Sequence, residues 1–278
     1  MTSLRQDATI QLTDHLAIPA IGLGTWPMEG DEAYDAVLRA IDKGYRHIDT
    51  ATNYNNEDAV GRAIVDTDTD RDDLWVTSKF NRDGHGRDEV KQAYAASLQR
   101  MGLDYLDSYL VHWPNPDQHK FVAACEGLQE LVDDGKLRSW GVSNFKPAHL
   151  DAVYAAGLTP VMNQVQIDPH HLQPAQLAHN AKYELITAAY SPLGRAGEFL
   201  DDPAVTTLAE AYDKTPAQIV LRWHLDSGRI AVPKSADDTR QRQNLEVFDF
   251  HLTPAEVAAI DALDTGAGPR LDADEFGH

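Results

Sequence analysis

Four polar residues of different chemical types stand at or just past the ends of predicted β-strands. They are Asp49 and Tyr54 in YRHIDTATNY, Lys79 in LWVTSKF and His112 in SYLVHW. A tyrosine can donate its phenolic proton, and a histidine can donate a second hydrogen bond. Gathered at one rim, the four predict a site that protonates the oxygen of a carbonyl group as that oxygen gains negative charge.

The roles of the four residues follow from ordinary side-chain acidities. Tyrosine has an unperturbed pKa of about 10, and a nearby ammonium favours the phenolate. We therefore expect Lys79 to lower the pKa of Tyr54, and Asp49 to hold Lys79 charged and oriented. His112 would orient the carbonyl, as in an oxyanion hole. The set contains no nucleophile–base pair, so it favours reduction, in which hydride arrives from elsewhere and the protein supplies a proton.

Strand-like and helix-like segments alternate along the chain and form eight predicted strand–helix units. The predicted strands are mostly short apolar runs, which suit burial on both faces; they are IGLGTW, YRHIDT, LWVTSKF, DSYLVHW, LRSWGVSN, VMNQVQI, LITAAYSP and IAVPK. Apolar runs on either side of Thr13-Asp14-His15 predict an N-terminal β-hairpin. The end of the chain predicts extra C-terminal helices near TRQRQNLEVF and PAEVAAIDAL, then an irregular tail, GAGPRLDADEFGH.

This alternation indicates an α/β protein, a (β/α)8 TIM barrel that forms a single domain over residues 1–278. The alternative is a doubly wound sheet, which usually carries a G-x-G-x-x-G turn after its first strand. Here that turn reads GLGTWPMEG, a poor match with bulky residues. In a barrel, functional side chains lie at the carboxyl ends of the strands, so neighbouring strands would bring the four polar residues within reach of one another.

The composition limits the partners and the compartment. Asp and Glu number 44 against 24 Lys and Arg, and this net charge of -20 disfavours nucleic acid and anionic membranes. The acidic residues are scattered, as on a solvated surface; adaptation to high salt is the sharper interpretation. The single cysteine, Cys125, excludes an intrachain disulfide. With no signal-peptide pattern and no apolar run long enough to cross a bilayer, we expect a cytoplasmic protein, and we predict no metal site.

Motifs along nearly the whole chain resemble the aldo-keto reductase family, and more narrowly the bacterial 2,5-diketo-D-gluconic acid reductase group. The matching segments are GYRHIDTATNYNNEDAVG, LVHWP, GVSNF, NQVQIDP, YSPLG, KTPAQIVLRWHL, VPKS and NLEVFDFHLT. The resemblance implies a monomeric barrel that uses NADP(H) to reduce aldehydes and ketones. It places the catalytic tetrad on Asp49, Tyr54, Lys79 and His112, with the tyrosine as the acid.

The resemblance also implies a cofactor site along the barrel mouth. Its nicotinamide end would be formed by Thr25, Trp26, Ser143, Asn144, Gln164 and Tyr190, with Ser191 and Leu193 along the pyrophosphate. Its adenosine and 2′-phosphate end would be formed by Lys234, Ser235, Arg240, Gln243 and Asn244. Two cations around an extra phosphate favour NADPH over NADH.

Several positions depart from the family pattern. Asp237 and Asp238 stand where relatives often carry basic residues, and carboxylates that face a phosphate would weaken its binding. We therefore expect a less strict preference for NADPH. Gln166 and Asp168 replace the more usual Glu and His, with no predicted consequence. Phe80 replaces a frequent Trp after the catalytic lysine, which predicts a reshaped pocket wall.

The predicted substrate pocket is lined by Trp26, Phe80 and Trp113, which would accept small carbonyl compounds, α-dicarbonyls or keto sugars. Two other functions remain open. A Schiff-base aldolase would use Lys79 or Lys234 as its nucleophile and needs that lysine in an apolar setting. A non-catalytic NADP(H)-binding regulatory module would not require Tyr54 and Lys79 together.

Overall fold

The computed structural model describes residues 8–277. Most of the N-terminal segment in which no signal-peptide pattern was found lies outside the described residues. The predicted N-terminal hairpin is confirmed: β1 (Thr9–Thr13) pairs antiparallel with β2 (Leu16–Pro19). Ile18 of this hairpin is buried in a cluster with Trp75, Leu110 and Met162. The hairpin therefore covers the end of the barrel opposite the predicted site.

Eight parallel strands form the central sheet of the described residues, and they follow one another in chain order. They are β3 (Leu23–Gly24), β4 (His47–Asp49), β5 (Trp75–Phe80), β6 (Ser108–Val111), β7 (Ser139–Ser143), β8 (Met162–Gln166), β9 (Ile186–Tyr190) and β10 (Ile230–Val232). Two parallel bridges, Ile21 to Ala231 and Gly24 to Lys234, join the first strand to the last. This pairing closes the ring and confirms the predicted barrel.

Ten α-helices surround the sheet in the described part of the chain. They are α1 (Gly30–Asp42), α2 (Glu57–Asp66), α3 (Glu89–Met101), α4 (Phe121–Asp133), α5 (Pro147–Ala155), α6 (Pro174–Lys182), α7 (Pro203–Tyr212), α8 (Pro216–Asp226), α9 (Asp238–Leu245) and α10 (Pro254–Asp261). Five of them begin with proline, whose fixed φ and missing N–H suit the first helical position. The extra C-terminal helices are confirmed as α9 and α10. None of the helices within residues 8–277 is long and apolar enough to cross a membrane.

Strand alternation divides the side chains between two layers. In β5, Val76 and Phe80 belong to the large core that also contains helix residues such as Leu128. Trp75 belongs instead to the cluster inside the ring. Because successive side chains of a strand point to opposite faces, Lys79 lies on the same face as Trp75, inside the barrel and near its mouth.

Candidate active site

A buried ion pair forms the base of the predicted site. Asp49 ends β4, and Lys79 lies on the neighbouring β5. The Lys79 Nζ donates to Asp49 Oδ1 at 2.7 Å and to the carbonyl oxygen of Thr50 at 2.9 Å. Lys79 is 0% exposed and Asp49 is 4% exposed. A buried charge is tolerated only when it is paired and hydrogen-bonded, so this geometry fixes the ammonium in one place.

Tyr54 and His112 lie directly beside this pair. Tyr54 ends the short 3-10 turn Thr52–Tyr54 that follows β4. The Lys79 Nζ is 5.2 Å from the centroid of the Tyr54 ring. The His112 ring meets Tyr54 edge-on, with 5.7 Å between ring centroids. The structure therefore brings together the four polar residues that the strand order predicted to be neighbours.

The acidity of Tyr54 differs from the expectation. Burial raises the pKa of Tyr54 above its ordinary value, and the Asp49 carboxylate raises it further. Burial also lowers the pKa of Lys79, which Asp49 opposes. The expected lowering of the Tyr54 pKa was wrong because desolvation of the phenolate outweighs an ammonium that is already neutralised by Asp49. Tyr54 consequently keeps its proton through neutral pH, the form that a general acid needs.

A polar network connects the predicted amide cluster to the ion pair. The Gln164 Nε2 donates to Asp49 Oδ2 at 2.8 Å. The Ser143 hydroxyl donates to the Gln164 carbonyl at 2.8 Å, and the Asn144 amide donates to Ser143 Oγ at 3.1 Å. The Tyr190 hydroxyl donates to Asn144 Oδ1 at 2.9 Å. Residues from β4, β7, β8 and β9 therefore hold one another in place at the mouth.

The first turn after β3 contributes the wall beside the ion pair. The backbone N–H and the hydroxyl of Thr25 both donate to the Asp49 carbonyl, at 3.1 Å and 3.0 Å. This anchors the next residue, Trp26, which is 44% exposed. The Arg195 guanidinium lies 4.6 Å from the centroid of the Trp26 ring. Arg195 belongs to the loop after β9 that also contains the half-buried residues Ser191 and Leu193.

The predicted phosphate end lies just past β10. Lys234 and Arg240 are both exposed, whereas Ser235 is buried. The Ser235 hydroxyl accepts from the Asp237 N–H at 3.1 Å. On α9, Gln243 is half-buried and Asn244 is buried. The backbone bridge between Lys234 and Gly24 places this end beside the turn that contains Thr25 and Trp26.

One predicted pocket residue lies elsewhere. Phe80 is 1% exposed and packs on the outer face of β5, where its ring centroid is 5.5 Å from that of Tyr109. Its assignment to the substrate pocket was wrong because it follows Lys79 directly and strand neighbours point to opposite faces. Asn81, two residues after Lys79, is the residue that the alternation directs to the mouth. The period of two was legible in the sequence, so this residue could have been found.

Trp113 lies beneath the C-terminal tail. Its ring centroid is 4.7 Å from that of Phe276, in an edge-to-face contact. The tail is irregular, as predicted, but it is tied down: the Arg270 N–H donates to Gln166 Oε1 at 3.0 Å, and Lys146 pairs with Asp272 and Asp274. The tail therefore covers part of the pocket, and Gln166 gains a role in anchoring it that the sequence did not reveal.

The side chains at the mouth suit a nicotinamide dinucleotide. Asn144 and Gln164 supply amide groups of the kind that a carboxamide pairs with, and Tyr190 offers a partly exposed ring beside them. Two exposed cations, Lys234 and Arg240, stand at the other end in a chain whose net charge is -20. No group of three or more His, Cys, Asp or Glu within residues 8–277 is placed to hold a metal ion.

A closed (β/α)8 barrel with a Tyr–Lys–Asp–His cluster at the carboxyl ends of its strands defines a class of proton-donating barrel protein. Residues 20–265 match the aldo/keto reductase family, and this chain belongs to that family.

Named relatives are similar over nearly their whole length. Methylglyoxal reductase DkgA of Escherichia coli is 40% identical over 270 residues, which cover 96% of this chain and 98% of the relative. The 2,5-diketo-D-gluconic acid reductase B of a Corynebacterium species is 43% identical over 259 residues, covering 93% and 94%. The crystal structure of a Bombyx mori aldo-keto reductase in complex with NADP is 38% identical, with a TM-score of 0.86 and 92% of each chain covered. The predicted resemblance is confirmed.

Proposed function

We propose that this protein is an NADPH-dependent aldo-keto reductase that converts aldehydes and ketones to alcohols. The observation that carries the proposal is the buried Lys79–Asp49 pair beneath the Tyr54 ring, with His112 edge-on to that ring. This arrangement has a proton donor, a fixed positive charge and a second hydrogen-bonding group, and it lacks a nucleophile. It therefore suits a reaction in which a carbonyl oxygen becomes a hydroxyl.

Each residue of the four has a distinct part in the proposed reaction. Tyr54 donates its proton to the carbonyl oxygen as negative charge develops there. Lys79 stabilises the phenolate that Tyr54 then becomes, and Asp49 keeps the ammonium oriented through the 2.7 Å hydrogen bond. His112 positions the carbonyl oxygen and stabilises its developing charge. The high pKa of Tyr54 delays proton transfer until the oxygen is strongly basic.

The dinucleotide, when bound, supplies the hydride for the carbonyl carbon. Ser143, Asn144 and Gln164 would hold its amide group, and Tyr190 would support the ring. Thr25, Trp26, Ser191 and Leu193 would line the path to the other end, where the remaining predicted residues would bind the adenosine and its phosphate: Lys234, Ser235, Arg240, Gln243 and Asn244. NADP and NADPH are named in the titles of structural neighbours, which supports the same cofactor here.

Small α-dicarbonyls and keto sugars are the proposed substrates. The names of the relatives, methylglyoxal reductase and 2,5-diketo-D-gluconic acid reductase, support this class. Trp26 and Trp113 would line the pocket, and the contact between Trp113 and Phe276 gives it a wall from the tail. We further propose that the chain acts as a monomer in the cytoplasm, which light scattering after gel filtration and fractionation of the source cells would test.

The aldolase alternative is disfavoured by the surroundings of the lysines. A Schiff-base lysine must present an uncharged nitrogen to its substrate. The Lys79 Nζ is fully buried and donates to Asp49 and Thr50, and Lys234 is exposed rather than apolar in setting. The binding-module alternative gains no support from the site, because a binder has no need of a buried ion pair beneath a tyrosine.

The direct test is the loss of NADPH absorbance with a panel of small aldehydes, α-diketones and keto sugars. Consumption that requires both protein and carbonyl compound is the expected result. Reduction of trapped substrate onto a lysine by borohydride would instead favour the aldolase. Tight NADP⁺ binding without turnover on any member of the panel would favour the regulatory module and contradict the proposal.

A further inference from the structure

A carboxylate of this chain occupies the start of the helix at the proposed phosphate end. Asp237 is the N-cap residue of α9, and its Oδ1 accepts from the Arg240 N–H at 2.8 Å. The Arg240 Nε lies 3.8 Å from the same oxygen. The backbone N–H of Asp237 is held in turn by Ser235 Oγ. Asp237 is thus fixed between two residues that belong to the proposed adenosine and phosphate site, Ser235 and Arg240.

The position of Asp237 matters because of the charges around it. The beginning of a helix and an adjacent arginine are both features that attract phosphate. Here one carboxylate already accepts a hydrogen bond from the helix N-terminus and lies beside that arginine. The remaining exposed cation, Lys234, stands three residues earlier. An added 2′-phosphate would therefore meet a site whose positive charge is partly neutralised from within.

The neighbouring carboxylate has a different environment. Asp238 pairs with Lys43, which directly follows α1. The Lys43 ammonium holds the pKa of the Asp238 carboxyl below its ordinary value. Because this charge has its own cation, its effect on a phosphate is compensated. The two adjacent aspartates thus provide a matched pair, one directed to the proposed phosphate cation and one directed away from it.

We propose that Asp237 is a specificity-determining residue that relaxes discrimination between NADP(H) and NAD(H), so that the protein binds both cofactors. A carboxylate repels a 2′-phosphate but can accept a hydrogen bond from a ribose hydroxyl. The inference rests on the proposed function, because it concerns the same cofactor site. Helix capping alone does not require a negative charge here, since asparagine caps helices as well as aspartate does.

The test compares Asp237→Asn with Asp238→Asn by direct binding. Both substitutions remove one negative charge, and Asp237→Asn preserves the cap. Quenching of tryptophan fluorescence by NADP⁺ and by NAD⁺ gives the ratio of the two dissociation constants. For Asp237→Asn we expect this ratio to move about tenfold towards NADP⁺, which corresponds to about 1.4 kcal/mol. For Asp238→Asn we expect a change of less than about twofold, and for the wild type we expect both dinucleotides to bind.

Salt and the control variant separate the outcomes. The gain in Asp237→Asn should shrink at high ionic strength, because an exposed charge interaction is screened. An unchanged ratio in Asp237→Asn, or an equal change in Asp238→Asn, overturns the inference and leaves the proposed function intact. Wild-type protein that binds NADP⁺ and excludes NAD⁺ would also overturn it. Failure of the wild type to bind either dinucleotide would overturn the proposed function together with the inference.

Discussion

Replacing Asp49 by asparagine should destabilise the protein and also change how its stability depends on pH. The asparagine side chain would keep an oxygen that can accept from Gln164 or Lys79, but it would remove the charge that compensates the fully buried ammonium. Removing one partner of a buried ion pair typically costs about 3–5 kcal/mol, because the remaining charge is left unpaired in a poorly solvated place. Asp49→Asn should lose about that much unfolding free energy at pH 7.

The pH dependence of this loss has a definite sign. Burial already lowers the pKa of Lys79, and Asp49 is the largest influence that opposes the lowering. Without that carboxylate, the folded protein releases the Lys79 proton at a lower pH than the unfolded chain does. The unfolded state then binds more protons in the window below the ordinary lysine pKa of about 10.4, so stability rises with pH there. The deficit of Asp49→Asn should therefore shrink as the pH is raised from about 7 towards 10.

Urea unfolding followed by tryptophan fluorescence at pH 7 and pH 9.5 would measure both effects. The double variant Asp49→Asn/Lys79→Met is the control, because it removes both charges and should regain much of the lost stability. A loss below about 1 kcal/mol in the single variant, the range of an exposed ion pair, would refute the reasoning. So would a double variant that is less stable than the single one, or a deficit that grows as the pH rises.

Three further predictions concern the site and its surroundings. Phe80→Ala should cost about 3–5 kcal/mol of stability in urea unfolding, while the substrate KM changes by less than about twofold, since Phe80 packs on the outer face of the barrel; a large KM effect with unchanged stability would restore its place in the pocket. Lys234→Met should weaken NADP⁺ binding about tenfold in a fluorescence titration and leave NAD⁺ binding nearly unchanged; equal weakening of both would remove its phosphate role. Because burial raises the pKa of Tyr54, its proton is retained below and through the ordinary value of about 10, so single-turnover reduction should show no decline that reports tyrosine ionisation between about pH 6 and 9; such a decline that disappears in Tyr54→Phe would contradict this.

The order of the elements was predictable because each carried a local signal. Short apolar runs alternated with helical segments, and the strands come in chain order around the ring. That order alone implies that residues at the ends of β4 and β5 are neighbours, and the Asp49–Lys79 hydrogen bond follows from it. The prediction that residues 1–278 form a single domain stays a prediction.

Other features were missed for physical reasons. Phe80 was misplaced because the pocket was inferred from nearness in sequence to Lys79, whereas one step along a strand reverses the face. The hydrogen bond from Gln164 to Asp49 joins residues 115 positions apart across the barrel, a distance over which no periodicity operates. The tail lacks any repeating pattern, so its anchoring at Gln166 and Lys146 could be seen only in three dimensions. The raised pKa of Tyr54 depends on burial, which the sequence expresses only indirectly.

The central claim is that Tyr54 supplies the proton, and the variant Tyr54→Phe tests it most directly. Phenylalanine keeps the ring between Lys79 and His112 but lacks the hydroxyl. General acid catalysis is worth about 10²–10⁴ in rate, so the kcat for carbonyl reduction should fall by about that factor while the Kd for NADP⁺, measured by fluorescence titration, stays within about twofold of the wild type. A variant that binds NADP⁺ normally and retains a substantial fraction of the wild-type kcat would contradict the account.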